Sequence, residues 1–186
     1  MKTLKYFFVM AVILLAGCAQ DDTLFETQDN LELKKAKVPI PFKGEWYSVP
    51  DMESGFYSVP LPGGGYMYVT NRMLMSGKGS FLGRIDAGKS YGTITEMEVF
   101  LDENGNLFSV QSTITFLVAA NGDSVALTSK GRQSWVDGSF VSQDEIIPGS
   151  GTGRFKGVTG STVTVGGWHE DGVGVWSKSE GYLVFE

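Results

Sequence analysis

The chain has 186 residues, of which 42% are hydrophobic and 12% aromatic, so it is long enough to bury one hydrophobic core. Acidic residues outnumber basic ones by 21 to 15, which argues against a nucleic-acid partner because phosphate backbones select clustered lysine and arginine. The chain has a single cysteine, which excludes an internal disulfide, so the fold depends on its core alone.

The N-terminus has the pattern of an export signal that ends at Cys18. Lys2 and Lys5 precede an uninterrupted apolar run at residues 7–15, and small residues follow it, as a signal peptidase requires. The string Leu15-Ala16-Gly17-Cys18 resembles the lipobox of bacterial lipoproteins. In that family the chain is cut before the cysteine and the cysteine is acylated. The resemblance implies a lipoprotein signal peptide at residues 1–17 and a lipid anchor on Cys18.

Two other interpretations of this segment exist. A transmembrane anchor is disfavoured, because residues 7–16 are ten apolar residues, whereas a bilayer requires about 20. An ordinary secretory signal with an incidental cysteine stays open. Asp21 and Asp22 resemble the acidic export tags of some surface lipoproteins. We therefore expect a lipid-anchored protein of the bacterial cell envelope, at the outer membrane, with the membrane as a partner through the lipid.

The rest of the chain divides into a tether and one domain. Residues 18–37 are polar and acidic without helical or strand periodicity, which predicts a flexible tether. Loss of Lys2 and Lys5 with the signal peptide would change the formal charge from −6 to −8. The prolines at positions 39 and 41 mark the edge of a domain at residues 38–186, because proline cannot donate to a helix or a strand ladder.

The domain is predicted to be all-β. Glycine recurs every few residues and leaves no room for a helix of normal length. Ile114, Phe116 and Val118 share one strand face and alternate with Thr113, Thr115 and Leu117 on the other. The turn at residues 121–123 joins this strand to the next as a hairpin. A second hairpin is predicted around Asn104-Gly105, between strands at 94–101 and 107–112. Further strands are predicted at residues 45–49, 67–77, 80–86, 134–140, 153–158, 161–168 and 173–185.

Eight or more short strands in one domain indicate a barrel or a sandwich, and a glycine-rich segment favours the barrel. Its residues are Gly149, Gly151, Gly153, Phe155, Gly157 and Gly160. Such spacing allows positive φ and close backbone approach at a barrel corner, with Phe155 directed into the interior. A phosphate-binding loop is the competing interpretation. It is disfavoured because no helix follows and the Lys-Ser or Lys-Thr pair of a P-loop is missing.

The glycine-rich segment resembles the Gly-Gly-Thr-Gly-x-Phe-x-Gly-Ala-x-Gly segment of allene oxide cyclase and dirigent-like barrels. Residues 41–45 look like the first strand of bacterial members, and residues 77–85 are similar to their Gly-x-Gly-Thr-His-Leu-Gly-x-Phe segment. Phe81 stands where those proteins have histidine, so any role of that imidazole is absent here. The resemblance implies a single antiparallel β-barrel of about eight strands.

Candidate catalytic groups are few. His169 is the only histidine and lies in a predicted turn beside Glu170 and Asp171. A metal site built from these three is disfavoured, since adjacent residues on one turn rarely supply converging ligands. A catalytic triad is set aside, because Cys18 is expected to be acylated and no Gly-x-Ser-x-Gly string occurs. We predict no metal, no cofactor and no hydrolytic or redox chemistry that depends on His169.

Glu96 and Glu98 alternate along a predicted strand, which places their carboxylates on one face about 7 Å apart. Two carboxylates at such a spacing serve glycoside hydrolysis. A solvated outer face is the simpler interpretation of the two glutamates. The apolar residues Ile94 and Phe100 share their strand face, however, so the catalytic interpretation stays open. The candidate cavity or site residues are Arg72, Glu96, Glu98 and His169, and the methionine-rich stretches at 66–68 and 73–75 are candidate cavity linings.

These observations favour a non-catalytic binding or structural module, and its candidate partners are a small apolar ligand and an envelope protein. The alternative, implied by the resemblance, is an isomerase or cyclase like allene oxide cyclase that acts on a lipid-like substrate. An eight-stranded barrel can be filled by side chains or hold one small ligand. A cavity with a buried polar group would favour the enzyme, a filled core the structural module, and an exposed aromatic patch a docking protein.

Overall fold

The computed structural model describes residues 38–186. The predicted signal peptide, the tether and Cys18 lie outside this range. The described chain forms eleven strands and two short 3₁₀-helices, at Met52–Ser54 and Gly153–Phe155. In chain order the strands are β1 (Ile40–Pro50), β2 (Phe56–Pro60), β3 (Tyr66–Thr70), β4 (Arg72–Gly79), β5 (Gly83–Arg84), β6 (Tyr91–Leu101), β7 (Leu107–Val118), β8 (Ser124–Ser134), β9 (Phe140–Ile146), β10 (Thr159–Trp168) and β11 (Val175–Val184).

Eight of these strands close into an antiparallel barrel. The order is β1, β11, β10, β9, β8, β7, β6 and β4, and β4 pairs with β1 to complete the ring. β5 adds two residues beside β4, and β2 and β3 form a separate hairpin. The predicted all-β class and the eight-stranded antiparallel barrel are confirmed. Among residues 38–186, no helix has the length and apolar character that crossing a membrane requires.

The barrel has two different ends, which the strand registers define. The closed end contains the start of β1 and the end of β11, where Ile40 pairs with Leu183. It is filled by a hydrophobic core of Phe42, Trp46, Leu82, Ile85, Leu117, Ala119, Val125, Ile146, Phe155, Val158 and Leu183. The open end contains the end of β1 and the start of β11, and the β2–β3 hairpin follows β1 there.

The glycine-rich segment crosses the closed end, but not as the strand predicted at 153–158. Its centre is the 3₁₀-helix Gly153–Phe155, and Phe155 is only 1% exposed in the core. Positive φ at Gly157 turns the chain into β10. At Gly151, a Cβ would collide with the carbonyl oxygen of Phe155. Gly149 and Gly153 also have positive φ, and Gly160 packs closely against the backbone of β11.

Other predicted strands were placed wrongly for local reasons. Where a strand was predicted at 134–140, residues 135–139 form the turn between β8 and β9, because Asp137 accepts hydrogen bonds from the backbone and hydroxyl of Ser139 at 3.0 and 2.8 Å. Residues 67–77 divide at Asn71, whose amide binds the carbonyl of Ser54, so the first part belongs to the hairpin and the second to the barrel. Only Gly83–Arg84 of residues 80–86 forms a strand, and β2 was not predicted.

Candidate functional site

The open half of the barrel contains a cavity of about 480 Å³. Inward side chains of all eight barrel strands line it, together with residues of the β2–β3 hairpin. The inward positions follow from strand periodicity, since every second residue faces the same side. On β7 the inward set is Gln111, Thr113, Thr115 and Leu117, while the alternate residue Phe116 is 40% exposed on the outside. The polar face of this strand is therefore the interior one.

The hydroxyl wall of the cavity consists of Ser142, Asp144, Thr162, Thr164, Ser177 and Ser179, on β9, β10 and β11. Asp144 is its only charged member and is 6% exposed. Ser142 donates to its Oδ1 at 2.8 Å, Thr162 donates to its Oδ2 at 2.9 Å, and Thr164 donates to the same Oδ2 at very short range. Three hydroxyl donors thus hold one carboxylate inside the barrel.

A chain of hydrogen bonds connects this carboxylate with the core. The indole nitrogen of Trp46 donates to Oγ of Ser179 at 2.9 Å, and Ser179 lies 2.6 Å from Oγ1 of Thr164. An indole nitrogen only donates, so the Ser179 hydroxyl is left to donate to Thr164, and Thr164 donates to Asp144. All donors in this series of hydrogen bonds are then directed toward Asp144, an arrangement that suits a negatively charged acceptor.

The methionine wall lies on β3, β4 and β6 and consists of Met67, Met73, Met75, Ile94 and Met97. Methionine side chains are unbranched and polarisable, and they adapt to ligands of different shape. The cavity therefore has one wall of hydrogen-bonding groups and one adaptable apolar wall.

Aromatic side chains surround the cavity at the open end, and we refer to Phe56, Trp135, Phe140 and Trp168 as the mouth. The rings of Trp135 and Trp168 lie 6.0 Å apart between centroids. The indole nitrogen of Trp135 and Oε1 of Gln111 are buried without a hydrogen-bond partner among residues 38–186. Both residues line the cavity, but these two atoms have almost no accessible surface, so they are unpaired polar groups within its wall.

His169 lies in the turn between β10 and β11, outside the set of residues that line the cavity. Its Nδ1 is 3.1 Å from Oδ2 of Asp171, and its ring packs edge-on against Tyr47 at 4.9 Å. The backbone N–H of Gly174, the Tyr47 hydroxyl and the N–H of Val173 all donate to Asp171 and lower the pKa of its carboxyl. The same carboxylate accepts from Tyr47 and raises the pKa of that hydroxyl.

These contacts connect Tyr47 on β1 with His169 and Asp171 in the turn between β10 and β11, and we refer to these three residues as the rim. No group of three or more histidine, cysteine, aspartate or glutamate residues able to hold a metal occurs among the described residues.

The other predicted cavity residues, Glu96, Glu98 and Arg72, do not line the cavity. Glu96 and Glu98 are exposed and are not among the lining residues. A register shift between Ile94 and Glu96 separates their phases, so Ile94 faces inward while both glutamates face solvent. The shared phase expected for Ile94 and the glutamates is therefore wrong. Arg72 instead forms an ion pair with buried Asp51, with 2.7 Å from its Nε to Oδ2.

Asp144 was missed by sequence reasoning, although a signal for it exists. Thr162 and Thr164 alternate with Val163 and Val165, which are 50% and 46% exposed. Such an alternation fixes two faces but not which face is interior. Because apolar residues normally face a core, the valines would be expected inside. The positions of Ser142 and Asp144 on β9 repeat the pattern and would identify the hydroxyl wall once the inward face is known.

Comparison with protein-family models, with curated proteins and with solved structures found no match to this chain.

Proposed function

We propose that the protein is a lipid-anchored binding module of the bacterial cell envelope, whose barrel holds one small, largely apolar molecule. The observation that supports this most strongly is the cavity of about 480 Å³ in the open half of the barrel. Ligand pockets span about 300–1,000 Å³ and combine apolar lining with a few polar groups. A purely structural barrel would be filled by side chains at both ends.

The two walls and the mouth support the same proposal. The methionine wall accepts an apolar body, and the hydroxyl wall offers donors and acceptors that orient it. The aromatic mouth gives contact area at the entrance, and Trp168 is 40% exposed there. The module would bind its ligand without chemistry, as a carrier or sensor beside the membrane.

The test of binding uses the neutral fluorescent probe N-phenyl-1-naphthylamine and a matched pair of variants. Thr113 lines the cavity, whereas Thr128, on the adjacent strand β8, is exposed on the outer face. Thr113→Phe fills the cavity and is expected to weaken probe binding at least about tenfold, or about 1.4 kcal/mol. Thr128→Phe is expected to leave it unchanged. Absence of probe binding to the unsubstituted protein would overturn the proposal.

The anchor has a separate test at Cys18. Replacement of Cys18 with Ser removes the only cysteine, and with it the proposed acylation site. A single acyl chain gives marginal membrane binding, whereas several give stable attachment. We expect the variant to leave the membrane fraction, as followed by fractionation and immunoblotting. A variant that still sediments with membranes after a carbonate wash would contradict the lipoprotein assignment.

A second candidate function is an isomerase or cyclase similar to allene oxide cyclase. The observation in its favour is Asp144, a buried polar group inside the cavity, which is the feature expected of the enzyme rather than of the filled structural module. Fold likeness alone does not carry an activity. The test is incubation of an oxylipin-like substrate with the protein and with Asp144→Asn, followed by chromatography of the products. Turnover that Asp144→Asn abolishes would favour the enzyme; no turnover would favour the binding module.

A further inference from the structure

We infer that the cavity selects amphiphiles with an ammonium head group, bound at Asp144, over carboxylates of equal chain length. The inference rests on the proposed binding function and names the class of its ligand. It comes from the hydrogen-bond capacity of Asp144, from the charges around it and from its depth in the barrel.

Asp144 has an acceptor site left for a ligand. An ionised carboxylate offers about four lone-pair sites on its two oxygens. Oδ2 accepts from Thr162 and Thr164, which fills it, whereas Oδ1 accepts from Ser142 alone. One site on Oδ1 is thus unused by the described residues, and Asp144 lines the cavity. A donor on a ligand that reaches Oδ1 would complete the set.

The charges around Asp144 favour a cation as that donor. Among the described lining residues, only Asp144 and Arg132 carry a formal charge. Arg132 pairs with Val141, three residues from Asp144 on β9, which is about 10 Å along the strand. Its guanidinium also stacks over the ring of Phe108 at 3.7 Å. No described residue forms an ion pair with Asp144.

A buried carboxylate without a cation is costly, and a cationic ligand offsets that cost. The hydrogen bond between an ammonium group and a carboxylate is charge-assisted and stronger than a neutral one. A carboxylate ligand would instead bring a like charge next to Asp144 in a cavity of low dielectric constant, which disfavours its binding.

The depth of Asp144 sets the orientation and the length of the ligand. Ile146, two residues further on β9, belongs to the core of the closed end, whereas Phe140 begins the strand at the mouth. Phe140 and Asp144 are four residues apart, about 13 Å at the rise of a strand. An ammonium head at Asp144 therefore places an alkyl chain along the methionine wall, with its end at the aromatic mouth.

The test compares three probes that differ in the head group alone: decylamine, decanol and decanoate. They are titrated by calorimetry, below their micelle concentrations, into mature protein carrying Cys18→Ser, which lacks acyl chains. We expect decylamine to bind at least about tenfold more tightly than decanoate, a difference of about 1.4 kcal/mol, with decanol between them. Equal binding of decylamine and decanoate, or tighter decanoate, would overturn the inference but leave the proposed function standing. Failure of all three and of N-phenyl-1-naphthylamine to bind would instead refute the proposed function.

Two variants separate a local effect from an effect of net charge. Asp144→Asn and Glu145→Gln each remove one negative charge from neighbouring residues of β9, but Glu145 is exposed on the outer face. We expect Asp144→Asn to abolish the preference for decylamine and Glu145→Gln to keep it. Loss of the preference in both variants would contradict a specific contact. The ranking of the probes in the protein without either substitution is itself decisive, so the inference remains testable where Asp144→Asn fails to fold.

Discussion

The two ends of the barrel are built from the same strands, but their inward side chains differ in polarity. The inward residues change from polar to apolar at about the same level on several strands: Thr115 to Leu117 on β7, Ser129 to Leu127 on β8, Asp144 to Ile146 on β9 and Ser179 to Leu183 on β11. Below this level the interior is a filled core, and above it the interior is a cavity with hydroxyl groups. The fold therefore separates stability and binding along the barrel axis.

This difference has a physical consequence for substitutions. Core side chains such as Phe155 and Val158 are only 1% exposed, so a deletion there leaves a cavity that the surrounding structure fills only in part. Side chains that line the cavity face empty space and lose fewer contacts when they are shortened. Stability should thus depend mainly on the closed end, and ligand affinity on the open end.

The largest effect is expected at Phe155, which is 1% exposed and packs against Phe185 with ring centroids 6.3 Å apart. Phe155→Ala should lower the free energy of unfolding by about 3–5 kcal/mol, measured by urea denaturation. The matched change at the open end is Phe140→Ala, which removes a half-buried ring from the mouth and should cost less than half as much. Equal losses would mean that the open end is packed as tightly as the closed end.

A smaller effect is expected where the glycine-rich segment turns into β10. Gly157 has φ of 74°, which a β-branched residue adopts only under strain, so Gly157→Val should cost about 1–3 kcal/mol. Gly88, in an exposed loop without positive φ, is the control, and Gly88→Val should stay within about 0.5 kcal/mol of the original stability. Thermal melts of both variants check the difference. An unchanged midpoint for Gly157→Val would contradict the assignment of a strained corner.

The sequence predicted the features that depend on local chemistry. The turns at Asn104-Gly105 and Asn121-Gly122 join consecutive strands as expected, because both glycines have positive φ, 80° and 92°. The alternation of β7 was also predicted. The all-β class follows from many short strands separated by such turns, and the glycine-rich segment at residues 149–160 favoured a barrel over a sandwich.

The cavity and Asp144 depend on non-local features that the sequence does not display. Alternation defines two faces of a strand, and only closure of the barrel decides that Thr162 and Thr164 face inward while Val163 faces out. The bulge near Thr95 likewise changes which residues of β6 share a face. Contacts between distant strands place Asp144 and Ser179 in one network, so period-two reasoning on single strands could not find it.

A modest effect is expected at the rim, where Asp171 has a pKa below its ordinary value of 3.8. The cause is the set of hydrogen bonds from Gly174, Tyr47 and Val173. A carboxylate with a lowered folded-state pKa contributes stability above the unfolded value, which is lost as the pH falls through the folded value. Asp171→Asn removes this contribution, so its stability should decline less than that of the original protein when urea denaturation is repeated below pH 3.8.

The neighbouring carboxylate is the control for this prediction. Glu170→Gln removes a charge from the same turn, but Glu170 takes no part in the hydrogen bonds of Asp171. Its acid dependence should match that of the original protein. A similar change in both variants would assign the effect to net charge rather than to the bonds at Asp171.

The smallest effect on stability and on ligand binding is expected at His169, which belongs to the rim and not to the cavity. Its side chain is 46% exposed, contacts Tyr47 and Asp171, and does not line the cavity. His169→Ala should therefore cost less than about 1 kcal/mol of stability and leave probe binding unchanged. By contrast, Asp144→Asn should alter the preference for ligand head groups, because Asp144 lines the cavity. No hydrolytic or redox chemistry is expected to depend on the imidazole, because general acid–base catalysis requires a group within reach of a bound substrate. Loss of a measured turnover in His169→Ala would place the reacting centre at the rim. It would refute the view that the cavity alone carries the function.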